Sequence, residues 1–215
     1  MKRVFGWVEG CFDLVYLASA AVIGLVLLSG GGGPLRAVAG VMALLLAGGD
    51  AFHLVPRVRV IFTGDEARLR KALGRGKQIT SITMTLFYLL LWSVGVALFS
   101  PRWATIGWAV CIVLCIVRLV LCLMPQNRWT DRYPPVSWGI LRNLPFFLQG
   151  LLVAALYFVF RDVRPGLQWM WLAVLLSFAF YLPVVLWANK NQKIGMLMLP
   201  KTCTYLWMLG MCLSL

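Results

Sequence analysis

Asp50, His53 and Arg57 have the residue types and the spacing that chemistry requires. They occupy positions i, i+3 and i+7 near the end of an apolar segment, and this spacing puts them on one face of a helix. His53 is the single histidine of the chain, and histidine titrates near neutral pH. With the carboxyl group of Asp50 it could form an acid–base pair, so Asp50 and His53 are the candidate catalytic residues.

Three further basic residues, Arg118, Arg142 and Lys201, interrupt other apolar segments. Ionisable groups at membrane depth are costly to maintain and therefore indicate function. Arginine suits phosphate or carboxylate because its planar guanidinium group binds two oxygens at once. These residues predict an anion site, provided that the segments lie in a membrane and bring the side chains together.

Composition supports a membrane location for these segments. The chain has 61% hydrophobic and 13% charged residues, with a mean hydropathy of +0.86, whereas soluble domains have about 25% charged residues. A membrane-spanning chain must satisfy its backbone polar groups internally, and these runs lack the alternation of barrel strands. The sequence predicts an all-α, polytopic membrane protein with one domain, residues 1–215.

Seven apolar runs reach or approach the roughly 20 residues that a transmembrane helix needs. The first run is predicted to be a helix and not a cleaved signal peptide, because Glu9 and Asp13 interrupt it and no small-residue cleavage site follows it. The longest connection, Val58 to Lys77, is basic and could hold a short amphipathic helix. The predicted spans are residues 8–29, 35–56, 78–99, 103–124, 137–160, 167–188 and 194–214.

Loop charges predict the orientation of the seven spans. Thirteen lysine and arginine residues lie on the side of the N-terminus and four on the other side. By the positive-inside rule the N-terminus is cytoplasmic and the C-terminus is outside, in a multi-pass protein of the cell membrane. The net charge of +13 is then explained by topology and by contact with membrane lipids, and no nucleic-acid partner is predicted.

The ionisable groups within the spans lie at a similar depth. At roughly 1.5 Å per residue, Asp50, His53, Arg118, Arg142 and Lys201 are about 6 to 10 Å from the cytoplasmic ends of their spans. Hydroxyl and amide side chains occur at the same depth, so a polar layer is predicted in the cytoplasmic half. The predicted ligand-binding residues are Asp50, His53, Arg57, Thr80, Thr83, Arg118, Arg142, Asn143, Tyr181, Lys201 and Tyr205.

The polar layer also has a purely structural interpretation. Asp50 could pair with Arg118 or Lys201, and Asp13 could pair with Arg142, so that ion pairs hold the helices in register. Against this, four cations face two acids once the arginine at the end of the second span is included. An unpaired cation in a low dielectric is expensive, so a bound anion is the natural complement.

No metal site is predicted. The chain has six cysteines, none in CxxC spacing, and a single histidine. Buried cysteines behave as small apolar residues, and a histidine-rich zinc site is excluded by count. The sequence assigns no cofactor.

Four segments together resemble a family of small, uncharacterised bacterial membrane proteins with seven helices. The resemblance covers nearly the whole chain and implies a fold size but no activity. It is carried by GDAFHLVPR (49–57), GKQITSITMT (76–85), SFAFYLPVVLW (177–187) and GMLMLPKTC (195–203).

Three characterised families are similar in single features. Lys201, in the seventh span, resembles the lysine of retinal-binding rhodopsins, which implies a covalent cofactor there, but span three has no acid as counter-ion. Met124-Pro125-Gln126 looks like the proline-glutamine turn of small seven-helix sugar transporters. Lipid hydrolases of the ceramidase and lysoplasmalogenase type are similar in their acids and histidine at one membrane face, but zinc-binding members need several histidines.

Three functions are compatible with this pattern. The first is a membrane carrier or receptor for a small anion or an anionic-headed amphiphile, with a proton switch at Asp50 and His53. The second is an intramembrane enzyme acting on a lipid head group, with Asp50 and His53 as the acid–base pair. The third is a structural membrane subunit whose polar layer only joins helices. The sequence leaves open the ligand and the oligomeric state, a homo-oligomer included.

Overall fold

The computed structural model describes residues 2–188 and 190–215, and the regular secondary structure of this part of the chain is helical, without β-strands. The side chains of Lys2 and Arg3, which count toward the predicted orientation, lie outside what it describes. The prediction of an all-α fold is confirmed. The long helices are α1 (Lys2–Ser29), α2 (Pro34–Thr63), α3 (Glu66–Phe99), α4 (Ala104–Leu123), α5 (Val136–Val159), α6 (Met170–Trp187) and α7 (Met198–Cys212).

Six of these helices, α1 to α6, are long and apolar enough to cross a membrane, as judged over the described residues. The seventh, α7, has 15 residues and begins four residues after the predicted start of the last span. Pro200 explains the difference, because a proline in a helix interior loses one hydrogen bond and clashes with the preceding turn. The helix therefore begins where Pro200 falls in its first turn, and a 3-10 segment, Gln192–Leu197, precedes it.

The prediction of a long connection between Val58 and Lys77 is wrong. Helix α2 continues to Thr63 and α3 begins at Glu66, so the two form a helical hairpin with a two-residue turn. Gly64 has a φ of 74° and donates its backbone N–H to the carbonyl oxygen of Val60 at 2.8 Å, which ends α2. Both helices extend beyond the apolar runs because the residues there have good helix propensity. These extensions lie outside the apolar runs, so the runs alone do not predict them.

Two glycines allow α2 and α3 to pack closely along this hairpin. A Cβ on Gly49 would lie 2.0 Å from Oγ1 of Thr83, and a Cβ on Gly76 would lie 2.2 Å from the carbonyl oxygen of Phe52. Such approaches are possible only without a side chain. The seam fixes the face of α2 that carries Asp50 and His53.

The two ends of the bundle differ in what fills them. The basic end holds the α2–α3, α4–α5 and α6–α7 connections, and the opposite end holds the α1–α2, α3–α4 and α5–α6 connections. Near the opposite end, Trp92 is fully buried and packs against Trp103 and Trp108, and Phe99 stacks on Phe160. The aromatic core thus closes the opposite half, and space remains in the basic half.

Candidate functional site

A cavity of about 460 Å³ lies in the basic half of the bundle. All seven long helices contribute to its wall, so its shape depends on the packing of the whole fold. Five basic and three acidic side chains line it, a formal excess of two positive charges with His53 neutral. These charged residues are Glu9, Asp13, Asp50, Arg57, Lys77, Arg118, Arg142 and Lys201.

Arg118 is the most deeply buried charge in the cavity wall. It lies on α4 with 1% of its surface exposed. Its Nε and Nη1 atoms are buried and have no hydrogen-bond partner. The guanidinium carbon lies 3.4 Å from the centroid of the Phe146 ring. A buried guanidinium group with unused donors is the arrangement that a bound anion would complete.

Arg142, on α5, is held in place by the connection between α4 and α5. Its Nη1 donates to Oδ1 of Asn127 at 2.9 Å, and its guanidinium carbon lies 4.2 Å from the Trp129 ring centroid. The Asn127 side chain in turn donates to the carbonyl oxygens of Leu121 and Met124. The end of α4 thereby positions the arginine of α5 toward the cavity.

Lys201, on α7, lies between two tyrosine rings. Its Nζ is 4.3 Å from the ring centroid of Tyr181 and 5.2 Å from that of Tyr205. The residue is 8% exposed. Pro200 sets where α7 begins, and Lys201 lies in the first turn of that helix.

Aromatic faces, and not acids, support these three cations. A ring attracts a cation through its quadrupole but carries no net charge. The contacts therefore fix the positions of the cations without neutralising them. An anion in the cavity would meet positive charge that is already oriented.

The ion pairs of the alternative, structural interpretation, Asp50 with Arg118 or Lys201 and Asp13 with Arg142, do not form among the described residues. Within the described residues, ion pairs join only Arg57 to Glu9 and Arg161 to Asp162. Asp13 is 5% exposed, and its Oδ2 has no hydrogen-bond partner. Asp50 accepts a hydrogen bond from the hydroxyl group of Tyr16 at 2.7 Å.

His53 lines the same cavity, and its Nδ1 is buried without a hydrogen-bond partner. No hydrogen bond joins His53 to Asp50 in the part of the chain that the structure describes; the partner of Asp50 there is Tyr16. The two residues therefore share a cavity wall without forming the oriented pair that general acid–base catalysis uses. The outermost member of the sequence motif, Arg57, joins α2 to α1 through its ion pair with Glu9.

The two threonines of the predicted site have different positions. Thr80 lines the cavity, and its hydroxyl group donates to the carbonyl oxygen of Gly49 at 2.9 Å. Thr83 donates to the carbonyl oxygen of Thr80 at 3.2 Å and packs against Gly49. Thr83 thus belongs to the seam between α2 and α3, one layer behind the cavity.

The remaining predicted residues, Asn143, Tyr181 and Tyr205, form part of the support for Lys201. Tyr181 and Tyr205 line the cavity. The Asn143 side chain accepts a hydrogen bond from the Tyr181 hydroxyl group at 3.1 Å and donates to the carbonyl oxygen of Gly139 at 2.8 Å. Asn143 therefore orients the ring beside the lysine.

Several residues of the cavity wall lie outside the predicted site, and those that contribute charge or aromatic support are Glu9, Asp13, Lys77, Trp129 and Phe146. Glu9 and Asp13 are spaced i, i+4, which places both on one helix face, so this signal was present in the sequence. Lys77 was assigned to a loop, and the length of α3 changes that assignment. Trp129 and Phe146 carried no distinguishing signal, because their roles depend on contacts with distant arginines.

Apolar side chains form another part of the cavity wall. Val184 and Val185, near the end of α6, and Leu199, in the first turn of α7, are half-buried, and Met196 is exposed. The cavity thus combines fixed cations with a partly exposed apolar surface.

Metal binding has no geometric support among the described residues, where no group of three or more His, Cys, Asp and Glu side chains is close enough to hold an ion. The cysteines there are free, and Cys111, Cys115 and Cys122 lie buried on one face of α4. Comparisons with protein-family models, with curated proteins and with solved structures found no match.

Proposed function

We propose that this protein is an integral membrane carrier or receptor for a small anion or an anionic-headed amphiphile, bound in the cavity of the basic half. The observation that carries the proposal is Arg118. It is 1% exposed, its Nε and Nη1 have no partner, and no acid pairs with it among the described residues.

The energetic argument follows from the cost of a buried charge. Removing an ion from water costs several kcal/mol even after relaxation, and only a well-placed counter-charge offsets that cost. The Phe146 ring supplies roughly 0.5–2 kcal/mol through its cation–π contact, which is too little. A bound anion would supply the remaining stabilisation of the buried charge, so the ligand-free cavity should have affinity for an anion.

The topology that we propose places this cavity in the cytoplasmic half. The 3-10 segment Gln192–Leu197 and α7 would together make the seventh crossing. Their lengths of about 12 Å and about 22 Å sum to more than the roughly 30 Å of hydrocarbon. The excess of basic residues at the basic end then makes that end cytoplasmic by the positive-inside rule.

Binding is proposed to be linked to protons. Asp13, Asp50 and His53 face the same cavity as Arg118, Arg142 and Lys201. Uptake of a proton by any of the first three would increase the positive charge that an anion meets. Such coupling is what a proton-linked carrier requires.

The two alternative functions have less support. An intramembrane enzyme would use Asp50 to orient His53, but Asp50 is hydrogen-bonded to Tyr16. A purely structural polar layer would show direct ion pairs across it, and the cations contact aromatic rings instead.

The experiment that tests the proposal is ligand-dependent thermal stabilisation of the protein in nanodiscs of zwitterionic lipid. The probes are inorganic phosphate, laurate and dodecyl phosphate, with dodecyl phosphocholine as the zwitterionic control. We expect at least one anionic probe to raise the melting temperature of the native protein, and Arg118→Gln to abolish that rise. Arg102→Gln is the matched control, because Arg102 is exposed at the opposite end.

Two results would contradict the proposal. One is that none of the anionic probes stabilises the native protein more than the zwitterionic control does. The other is that Arg118→Gln folds and keeps the full stabilisation.

A further inference from the structure

We infer that the group bound in the cavity is a phosphate monoester dianion, in preference to a carboxylate or another monoanion. The inference rests on the proposed function and specifies the chemical class of its ligand. Its basis is the charge of the cavity wall together with the geometry of its unused donors.

The charge of the wall matches a dianion. The Arg57–Glu9 ion pair neutralises itself, which leaves Lys77, Arg118, Arg142 and Lys201 facing Asp13 and Asp50. The formal excess is two positive charges. A monoanion would leave one of these charges uncompensated in a low dielectric, whereas a phosphate monoester carries a charge of about −1.5 to −2 at neutral pH.

The donors also suit three acceptor oxygens better than two. The Arg118 guanidinium group has no acid partner within the described residues, and a guanidinium edge formed by Nη2 with Nε or Nη1 can bind two phosphate oxygens side by side. Lys201 has no acid partner within the described residues and contacts only aromatic faces with its ammonium group. Its point charge can serve the third oxygen. A carboxylate offers these cations only two oxygens and a single negative charge.

The acids contribute to the selection. Asp13 has an unpartnered carboxylate oxygen at 5% exposure, so any anion bound in the cavity meets some repulsion there. Because four cations face two acids, the net attraction of the wall scales with the charge of the bound anion, and a dianion gains about twice as much as a monoanion. The mixed wall therefore discriminates by charge as well as by shape.

A phosphate monoester could come from solution or from a lipid head group. The apolar part of the wall, near Val184, Val185 and Met196, would accommodate an alkyl chain. The probes below separate the two sources, since one carries a chain and the other does not.

The test compares binding constants in zwitterionic nanodiscs at one pH for dodecyl phosphate and for dodecyl methyl phosphate. The methyl ester keeps the chain and the phosphorus centre but carries one negative charge. We expect the dianion to bind the native protein about tenfold more tightly, the ratio expected for about 1.4 kcal/mol of additional attraction. Laurate is the carboxylate comparison, and glycerol 3-phosphate is the soluble phosphate monoester.

Variants make the charge argument specific. Lys201→Met removes one cation, and the preference for dodecyl phosphate over its methyl ester should fall toward unity. Arg102→Gln should keep the tenfold preference. If Lys201→Met does not fold, Arg142→Gln provides the same loss of charge at the rim of the cavity.

The outcomes separate this inference from the proposed function. A preference for the dianion that Lys201→Met or Arg142→Gln abolishes supports the inference, with glycerol 3-phosphate binding indicating a soluble source and its failure to bind indicating a lipid source. Equal binding of dodecyl phosphate, its methyl ester and laurate overturns the inference but leaves anion binding in place. Binding of none of these probes overturns both.

Discussion

Aromatic rings make different contacts in the two halves of this bundle. In the opposite half they pack on one another. Trp92 contacts Trp103 and Trp108, and Phe99 stacks on Phe160 with the ring centroids 5.1 Å apart. In the basic half, rings also pack on buried cations, as Phe146 does with its ring centroid 3.4 Å from the guanidinium carbon of Arg118. One half is filled and closed, and the other encloses about 460 Å³ of space.

The difference shows how a membrane bundle can hold charge without cancelling it. An aromatic core supplies the stability of the fold through packing, which is the main source of helix association where lipid removes the hydrophobic driving force. The basic half then tolerates an arrangement that is unfavourable by itself. Truncation of the aromatic core in the opposite half should therefore chiefly lower stability, whereas removal of a cavity cation or of its aromatic support should chiefly weaken binding.

The largest expected effect is on folding, from Trp92→Ala in the opposite half. Trp92 is fully buried, and such truncations cost about 3–5 kcal/mol. Trp129→Ala, at the rim of the cavity, should lose less stability because Trp129 is half-buried, but it should weaken anion binding through the loss of support for Arg142. Denaturation in mixed micelles and binding titrations would measure the two effects. Equal losses of stability would contradict the division between the halves.

The seam that supports the cavity wall should be sensitive to a single methyl group. Gly49→Ala places a Cβ 2.0 Å from Oγ1 and 2.6 Å from Cβ of Thr83, and overpacking of this kind costs about 1–3 kcal/mol. Gly48→Ala is the matched control, since a Cβ there meets nothing within 4 Å. The melting temperatures of the two variants test the geometry, and an unchanged value for Gly49→Ala would show that the helices are farther apart.

Hydrogen bonds of two tyrosines offer a more moderate comparison. Tyr16→Phe leaves an Asp50 oxygen without its donor in the basic half, and an unsatisfied buried group costs about 1–3 kcal/mol. Tyr157→Phe removes a neutral bond to the carbonyl oxygen of Leu91 in the opposite half, and we expect a loss nearer 1 kcal/mol. Chemical denaturation would rank them, and the reverse order would mean that water replaces the Tyr16 hydroxyl group at Asp50.

The smallest change in stability is expected from a substitution at the mouth of the cavity. Glu9→Gln breaks the ion pair with Arg57, whose side chain is 48% exposed. Exposed ion pairs contribute about 0–1 kcal/mol, so the melting temperature should change little. A loss as large as that of Trp92→Ala would show that this pair holds the α1–α2 contact together.

Local signals in the sequence were enough to predict the six long apolar helices and a similar level along the bundle for three cations. Long apolar runs indicate helices, and distance along a run gives the level of Arg118, Arg142 and Lys201, which the structure brings to one cavity. The start of α7 could not be predicted from the apolar run alone, because it depends on which turn of the helix accommodates Pro200. The α2–α3 hairpin was not predicted, because helix propensity extends these two helices beyond the apolar runs and such extensions show no apolar pattern.

The partners of the charged groups could not be predicted. Charge complementarity suggested that Asp50 pairs with Arg118 or Lys201, yet Tyr16 and the rings of Phe146, Tyr181 and Tyr205 take those places. These contacts join residues far apart in the chain, and no periodicity records them. The aromatic support of the cations is therefore the main structural addition to the sequence-based picture.

The central claim is that Arg118 is buried for a ligand and not for the fold, and Arg118→Met tests it most directly. Methionine is unbranched and uncharged. Replacing even a buried ion pair by apolar groups is often neutral or stabilising by about 1–4 kcal/mol, and an unpaired buried charge has less attraction to lose. We predict that the ligand-free variant melts at a higher temperature than the native protein in nanodiscs and no longer responds to dodecyl phosphate. A variant that melts at a lower temperature and still responds to dodecyl phosphate would contradict the account.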